Sequence, residues 1–344
     1  MSLAGHLRPA RRSSAAVAGT IAPTLTILIC THNRAELLLR TLAYLDAAKR
    51  PASWAVDVLV VANACSDGTV ACLKRYRAEN PGGLPLAWFE VAAPGKSNAL
   101  NEAAARLKAQ WVAFVDDDHR VDERYLVSLA EAVECYPDAD FYCGRILPDW
   151  DGQEPGWVHD RGPYRIYPLP VPRFDLGDEP RQLGLDTALP GGGNLYLKRE
   201  WLQKVGRFSP EFGPTGHDLG GAEDLEWVRR ALRLGARLRY VPSVVQYHYV
   251  DHERLTLPYV IKKAFMRSAS TVRLSEPPAS GIVPRFMYRK LAEYFIAAAT
   301  AMGRDKRRFY LVRLAAALGE FRGYFYLWSD RRRGRVLGGT EGSE

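Results

Sequence analysis

Hydrophobic positions in the first 120 residues alternate between short apolar runs and helical stripes. Leu25–Cys30 is rich in β-branched residues and reads as a buried parallel strand. Asn33 and Glu36 have capping-box spacing, and Leu37, Leu38, Thr41, Leu42 and Leu45 then share one helical face. Asp57–Ala62 predicts a second strand, followed from about Gly68 by a helix that turns Val70, Leu73 and Tyr76 inward. Leu86–Val91 predicts a third strand, about Ser97–Ala109 a helix, and Trp111–Val115 a fourth strand. Alternating strand and helix means βαβ units, an α/β fold with a parallel sheet and helices on both faces. Ligands of such sheets bind beyond the carboxyl ends of the strands.

The rhythm breaks after Cys143. Residues 148–190 carry eight prolines and few periodic segments, the pattern of a binding loop or lid. Regular structure resumes with a strand at Leu195–Leu197, helices at Arg199–Val205 and Ala222–Leu234, and a strand at Arg237–Val241. Beyond Leu255 the chain reads as helical, with segments near Phe286–Met302 and Asp305–Trp328. Residues 1–23, rich in Ala, Ser, Arg and Gly, read as a disordered leader, and 331–344 as a tail.

The 344 residues, 47% hydrophobic and 25% charged, match an ordinary globular protein of two domains or one large one. Disorder, collagen and a disulfide mini-scaffold are excluded. The five cysteines are irregularly spaced and odd in number, which fits a reducing, cytoplasmic compartment. No apolar run approaches the roughly 20 residues that span a bilayer, and no secretory signal is expected. The net charge of +8 is uneven. From Arg254 onward there are 18 Lys and Arg against 7 Asp and Glu, a net +11, while the rest of the chain is slightly acidic. This basic helical region, 251–330, interleaves cations with Phe286, Tyr288, Leu291 and Phe295. With no nucleic-acid motif present, an anionic membrane surface is the expected partner.

Chemistry concentrates at the strand ends. Asp116-Asp117-Asp118 directly follows the fourth strand. Three adjacent carboxylates repel one another unless a cation sits among them, and Mg²⁺ or Mn²⁺ shared with substrate phosphates supplies that charge. Backbone alternation places Asp116 and Asp118 on one side and Asp117 on the other. The first strand runs into Thr31-His32-Asn33-Arg34 and the second into Asn63-Ala64-Cys65-Ser66-Asp67-Gly68-Thr69. Both put small or polar residues before a helix N-terminus that receives anions. Gly95-Lys96-Ser97-Asn98 opens another helix, with Lys96 placed for a diphosphate.

In order, Thr31–Arg34, Val60–Thr69, Gly95–Asn101, Val115–Asp118, Gly192-Gly193-Asn194, Gly221-Ala222-Glu223-Asp224, Tyr240-Val241-Pro242 and His248 resemble glycosyltransferase family 2. The resemblance covers about residues 24–250. It implies a GT-A fold with a nucleotide-binding half over 24–118 and an acceptor half over 119–250, followed by the helical extension. It also implies an inverting transfer of sugar from a nucleoside-diphosphate sugar to a hydroxyl, with Mn²⁺ or Mg²⁺.

On the matching positions, Asp118, Asp116 and His248 are the implied metal ligands, with His252 and His217 competing for the histidine role. Thr31, Asn33, Arg34, Asn63, Asp67, Lys96, Asn98, Asp116 and Asp117 line the donor. Asp224 is the implied general base, with Glu223 the alternative. Gly192, Gly193 and Asn194 face the acceptor or sugar, while Trp157, an aromatic of the proline-rich segment, either stacks on a sugar or anchors that segment on the core. A UDP-sugar is the favoured donor, although Ala62 stands where the family has an acidic partner of the base, usually uracil, with Asn63 or Asp67 the candidates to compensate. The expected acceptor is a glycan or lipid-linked glycan in cell-surface polysaccharide synthesis, on the inner face of the plasma membrane. The rival readings are a nucleotidyltransferase that makes nucleotide sugars and a non-catalytic scaffold with a degenerate site.

Overall fold

A computed structural model describes residues 22–210, 223–273 and 283–332. The leader to residue 21, His217, Gly221, Ala222 and the tail beyond Arg332 lie outside the described residues. The four expected strands form at β1 (Thr24–Thr31), β2 (Ala55–Asn63), β3 (Leu86–Val91) and β4 (Trp111–Phe114). Helices α1 (Ala35–Ala47), α2 (Thr69–Glu79) and α3 (Lys96–Ala104) connect them. All neighbouring pairs among these strands are parallel, with β1 between β2 and β4. Their inward residues, including Ile27, Ile29, Val60 and Ala113, are fully buried.

The second half completes a nine-stranded mixed sheet. Its strands are β5 (His119–Val121), β6 (Phe141–Asp149), β7 (Arg181–Leu183), β8 (Leu195–Lys198) and β9 (Leu238–Tyr249). Helices α4 (Tyr125–Cys135), α5 (Glu200–Val205) and α6 (Glu223–Arg233) flank it. The order is β3-β2-β1-β4-β8-β6-β9-β5, with β7 also on β9. Antiparallel pairing enters at β4–β8, so both halves share one sheet.

Two local readings are corrected. Asn33 does not cap α1. Its backbone is left-handed (φ 54°), and its Oδ1 accepts the N–H groups of Ser66 and Asp67 at 2.7 and 3.2 Å. Asp67 reaches back, its Oδ2 accepting the Ala35 N–H at 3.4 Å, so the two strand-end loops clasp each other. The last strand does not stop at Val241. It runs through Pro242 to Tyr249, which places His248 inside the sheet.

The proline-rich segment is docked on the protein. Trp150, Trp157, Leu169 and Val171 pack with Val250 and Leu255, just past β9. Beyond them lie α7 (Leu257–Arg273), α8 (Arg285–Thr300) and α9 (Arg304–Arg332). Helices α7 and α9 cross so closely that a Cβ on Gly319 would stand 2.1 Å from the Phe265 carbonyl oxygen. Among the described residues no helix is long and apolar enough to cross a membrane.

Candidate active site

The carboxyl ends of β1, β2 and β4 converge with the start of α6. Asp116 pairs with Lys96, its Oδ1 2.9 Å from Nζ, and Lys96 Nζ also lies 3.6 Å from Asp224 Oδ2. Lys96 therefore bridges the β4 end and the α6 N-terminus. Burial works against both charges, yet each stabilises the other. Asp116 is held well below the usual carboxylate range, and Lys96 well above its ordinary value. Asp117 turns toward β1, where Arg34 contacts Asp117 Oδ1 at 3.1 Å and Asp118 Oδ2 at 2.9 Å. Burial, and then the charge of Asp118, push Asp117 up to about 6 against the pull of Arg34.

Asp118 faces two histidines. The antiparallel β5–β9 pair sets His119 directly across from His248. One oxygen of each of these groups, or one ring nitrogen, falls within a 4.8 Å cluster. His119 Nε2 lies 3.9 Å from Asp118 Oδ1 and 3.8 Å from Asp116 Oδ2, while His248 Nε2 lies 3.7 Å from Asp118 Oδ2. The ring tautomers follow from the partners of the other nitrogens. His248 Nδ1 donates to the Tyr249 carbonyl at 2.6 Å. His119 Nδ1 donates to Gln246 Oε1, an oxygen that can only accept. The Gln246 amide is itself oriented, because its Nε2 donates to the Phe114 carbonyl at 3.1 Å and to Asn194 Oδ1 at 3.0 Å. Asn194 Nδ2 donates in turn to the carbonyls of Arg145 and Val244 at 2.7 and 3.1 Å.

Both Nε2 lone pairs are thus free to bind a cation. His119 Nε2 is buried and has no hydrogen-bond partner. Burial lowers the His248 pKa, which also favours the neutral, ligating ring. One carboxylate and two imidazoles fit a first-row transition-metal ion, with Asp116 beside them. The cluster keeps Asp118 and His248 from the sequence reading and adds His119.

Two glycines make this packing possible. A Cβ on Gly192 would stand 2.2 Å from the Asp224 carboxyl carbon, and one on Gly193 2.6 Å from Asp116 Oδ2. Gly192 N–H donates to Asp224 Oδ2 at 3.0 Å. Asp224 thus faces the Lys96–Asp116 pair. Glu223 is almost fully buried, and its Oε2 lacks a partner. Burial, and then the charge of Asp224, push Glu223 up to about 7.

Several expected donor contacts are occupied by the fold itself. Asn63 Nδ2 donates to the Val91 and Ala93 carbonyls, and its Oδ1 accepts the Gly95 N–H. Asp67 Oδ1 accepts the Thr69 N–H at 3.0 Å at the start of α2. Neither side chain is free to replace the acid missing at Ala62. Thr31 is buried at the end of β1, and the partly buried Asn98 donates to the Pro94 carbonyl. Asn194 is buried in the histidine-orienting chain and faces no open space. Trp157 is covered by the Arg308 guanidinium at 5.1 Å, which anchors the proline-rich segment to α9. His252 points to Asp151 at 3.1 Å, away from the cluster. His119 and Gln246 were not singled out from the sequence. The signal for both was strand pairing, since residues 119 and 248 become neighbours only when β5 lies on β9.

A half-parallel sheet with acidic strand ends and a helix-borne carboxylate opposite them defines a GT-A glycosyltransferase. Residues 26–206 match the model of glycosyl transferase family 2, and the chain belongs to that family. The structure of S. aureus TarS 1–349 in complex with UDP aligns with a TM-score of 0.53 and 16% identity, covering 90% of this chain and 92% of that one. The mannosyltransferase PcManGT from Pyrobaculum calidifontis, in complex with GDP-Man and Mn²⁺, aligns with a TM-score of 0.51 and 19% identity, covering 87% and 88%. A longer S. aureus TarS structure aligns at 0.48 and 16% identity over 82% of this chain, which spans 44% of the TarS length. A comparison with curated proteins found no match.

Proposed function

We propose that the chain transfers a sugar, with inversion, from a nucleoside-diphosphate sugar to a hydroxyl acceptor. The observation that carries this reading is the Asp118–His119–His248 donor set beside the Lys96-bridged carboxylates Asp116 and Asp224. Asp118, His119 and His248 would hold a divalent ion, which when bound would supply positive charge against the departing diphosphate, and Lys96 adds a second positive charge there. Leaving-group stabilisation of this kind needs no covalent intermediate, so a single base suffices. Asp224 takes the acceptor proton, since it faces the cluster while Glu223 is enclosed behind it. Mn²⁺ suits the two nitrogen donors better than Mg²⁺, which prefers an all-oxygen shell. The UDP and GDP-Man complexes of the TarS and PcManGT structures support a nucleotide sugar as donor. A UDP-sugar stays the donor of first choice, with no side chain at Ala62, Asn63 or Asp67 assigned to the base, so GDP-sugars are tested beside it.

The acceptor is a glycan or lipid-linked glycan, and the enzyme works on the cytoplasmic side at an anionic membrane surface. Support comes from α8, which exposes Phe286, Tyr288, Phe295 and Ile296 beside Arg285 and Arg289, with Met302 exposed just past its end.

The deciding experiment incubates the full chain with UDP- and GDP-sugars and Mn²⁺, then identifies the released product. Free nucleoside diphosphate is expected. Pyrophosphate release would favour the nucleotidyltransferase reading, and no turnover with any nucleotide sugar would favour a scaffold.

A further inference from the structure

A second cleft, of about 400 Å³, opens between residues 165–170 of the proline-rich segment and the helices α7 and α9. Arg165 enters it from the segment, Lys263 and Arg267 from α7, and Arg313 from α9. None of the four has an ion-pair partner among the described residues. The one acid in the lining, Glu320, is taken by Lys290, whose Nζ lies 2.9 and 2.7 Å from its two oxygens. Between the cations the walls are apolar, formed by Ile166, Leu169, Val260 and Val312. Tyr167 stands at the edge, 76% exposed.

This arrangement costs stability. Lys263 and Arg267 are like charges four apart on one helix, which disfavours α7 by a few tenths of a kcal/mol. Lys263 is half-buried as well, and burial with the charges of Arg254 and Arg267 lowers its pKa. A dianionic oxyanion relieves the repulsion, and Arg and Lys together recognise phosphate oxygens well. The apolar walls select what the phosphate is attached to. A peptide or nucleic acid would bring unpaired polar groups against them, whereas an alkyl or prenyl chain would not.

We propose that this cleft binds the phosphate of a membrane lipid, with the first part of its chain laid between Ile166, Leu169, Val260 and Val312. The occupant follows from charge complementarity and from the apolar floor, and its bilayer origin rests on the membrane reading given above. The segment that forms one wall also packs on Val250 and Leu255, just past the strand that carries His248. A seated lipid would therefore sit on the support of the proposed metal cluster without touching it.

The test titrates the full chain with decyl phosphate below its micelle concentration, with inorganic phosphate and decyl maltoside as the two half-ligands. Decyl phosphate should bind at least tenfold more tightly than either. Lys263→Gln with Arg267→Gln should weaken it at least tenfold, and Ala316→Trp, which fills the cleft, should do the same by another route. Mn²⁺-dependent nucleotide-sugar hydrolysis should be unchanged in all these variants. Equal binding of decyl phosphate and inorganic phosphate would overturn the lipid occupant in favour of a free-anion site. Unchanged decyl phosphate binding in both variants would overturn the site itself. Co-sedimentation with phosphatidylglycerol vesicles separates the two readings. If wild-type protein binds decyl phosphate but no vesicles, the membrane reading fails while the amphiphile site stands. If it binds vesicles but not decyl phosphate, the cleft proposal fails alone.

Discussion

Gln246 accepts the Nδ1–H of His119 and thereby fixes which face of that imidazole points at Asp118. The amide is held by the Phe114 carbonyl and by Asn194, so its oxygen cannot turn away. A partner of this kind orients a metal ligand and raises its basicity. Gln246→Leu should weaken Mn²⁺ binding about 10- to 100-fold, measured as free Mn²⁺ by electron paramagnetic resonance. Gln246→Glu still accepts from Nδ1 and should keep most of the affinity. If Leu and Glu at this position bind Mn²⁺ equally well, the ring is oriented by something else. Circular dichroism on both variants guards against a folding defect, because residue 246 is fully buried.

Metal and base assignments separate by what each variant still binds. Asp118→Asn should abolish transfer and remove the Mn²⁺ dependence of nucleotide binding. Asp224→Asn should keep Mn²⁺-dependent nucleotide binding while kcat falls by roughly 10²–10⁴. Glu223→Gln as the inactive variant, with Asp224→Asn active, would reverse the two roles.

Acid-base linkage gives a stability test in metal-free buffer. Glu223 titrates near 7 in the folded chain, against 4.5 as its ordinary value. The folded state thus holds a proton that the unfolded chain gives up between those two values. Stability from this group is complete below about pH 4.5 and is lost as pH rises through about 7. Glu223→Gln, which carries no charge at any pH, should raise Tm over wild type at pH 8. The stabilisation should be on the order of 3 kcal/mol and should vanish near pH 4. A constant difference across that range would mean that Glu223 ionises freely. Asp140 and Asp175 behave oppositely, since their pKa values are lowered, and their contribution fades as pH falls below about 4 in both proteins.

Membrane attachment should divide into electrostatic and apolar parts. Each Lys or Arg near an anionic leaflet contributes roughly 1 kcal/mol, screened over about 10 Å at 0.1 M salt. Co-sedimentation with anionic vesicles should fall steeply with salt and be weak with neutral vesicles. Phe295→Ser with Ile296→Ser should remove the salt-resistant fraction, because both side chains are exposed on α8. Binding that ignores lipid charge and these two residues would leave α8 as a cap on α9.

The parallel half was legible because every strand there is an apolar run ended by turn chemistry, and each helix is a clear stripe. Asp116–Asp118 announced itself by the repulsion of adjacent carboxylates. Less could be read where pairing is long-range. Pro242 seemed to end β9, yet the strand continues past it, and only that continuation carries Gln246 and His248 to His119. Asn33 illustrates a different loss. Its spacing to Glu36 matched a cap, but a left-handed backbone turned its amide toward the neighbouring loop. The resemblance of Gly192-Gly193-Asn194 to the family implies that Asn194 faces the acceptor or sugar. Those glycines instead make room for Asp224 and Asp116, while the asparagine is drawn inward by two backbone carbonyls.

The position of β9 also bears on how the chain matures during synthesis. Among the described strands it is the last made, yet it lies inside the sheet, parallel to β6 on one side and antiparallel to β5 on the other. Strands β1, β2 and β3 pair with neighbours in sequence, β4 returns to β1, and all four can assemble before β9 leaves the ribosome. During that interval β6 presents an open edge, and Asp118 has no histidine from β9 beside it. Completion of the proposed donor set and closure of the sheet are therefore one late event, and a nascent chain stalled before residue 248 would lack His248 and be prone to edge-to-edge association.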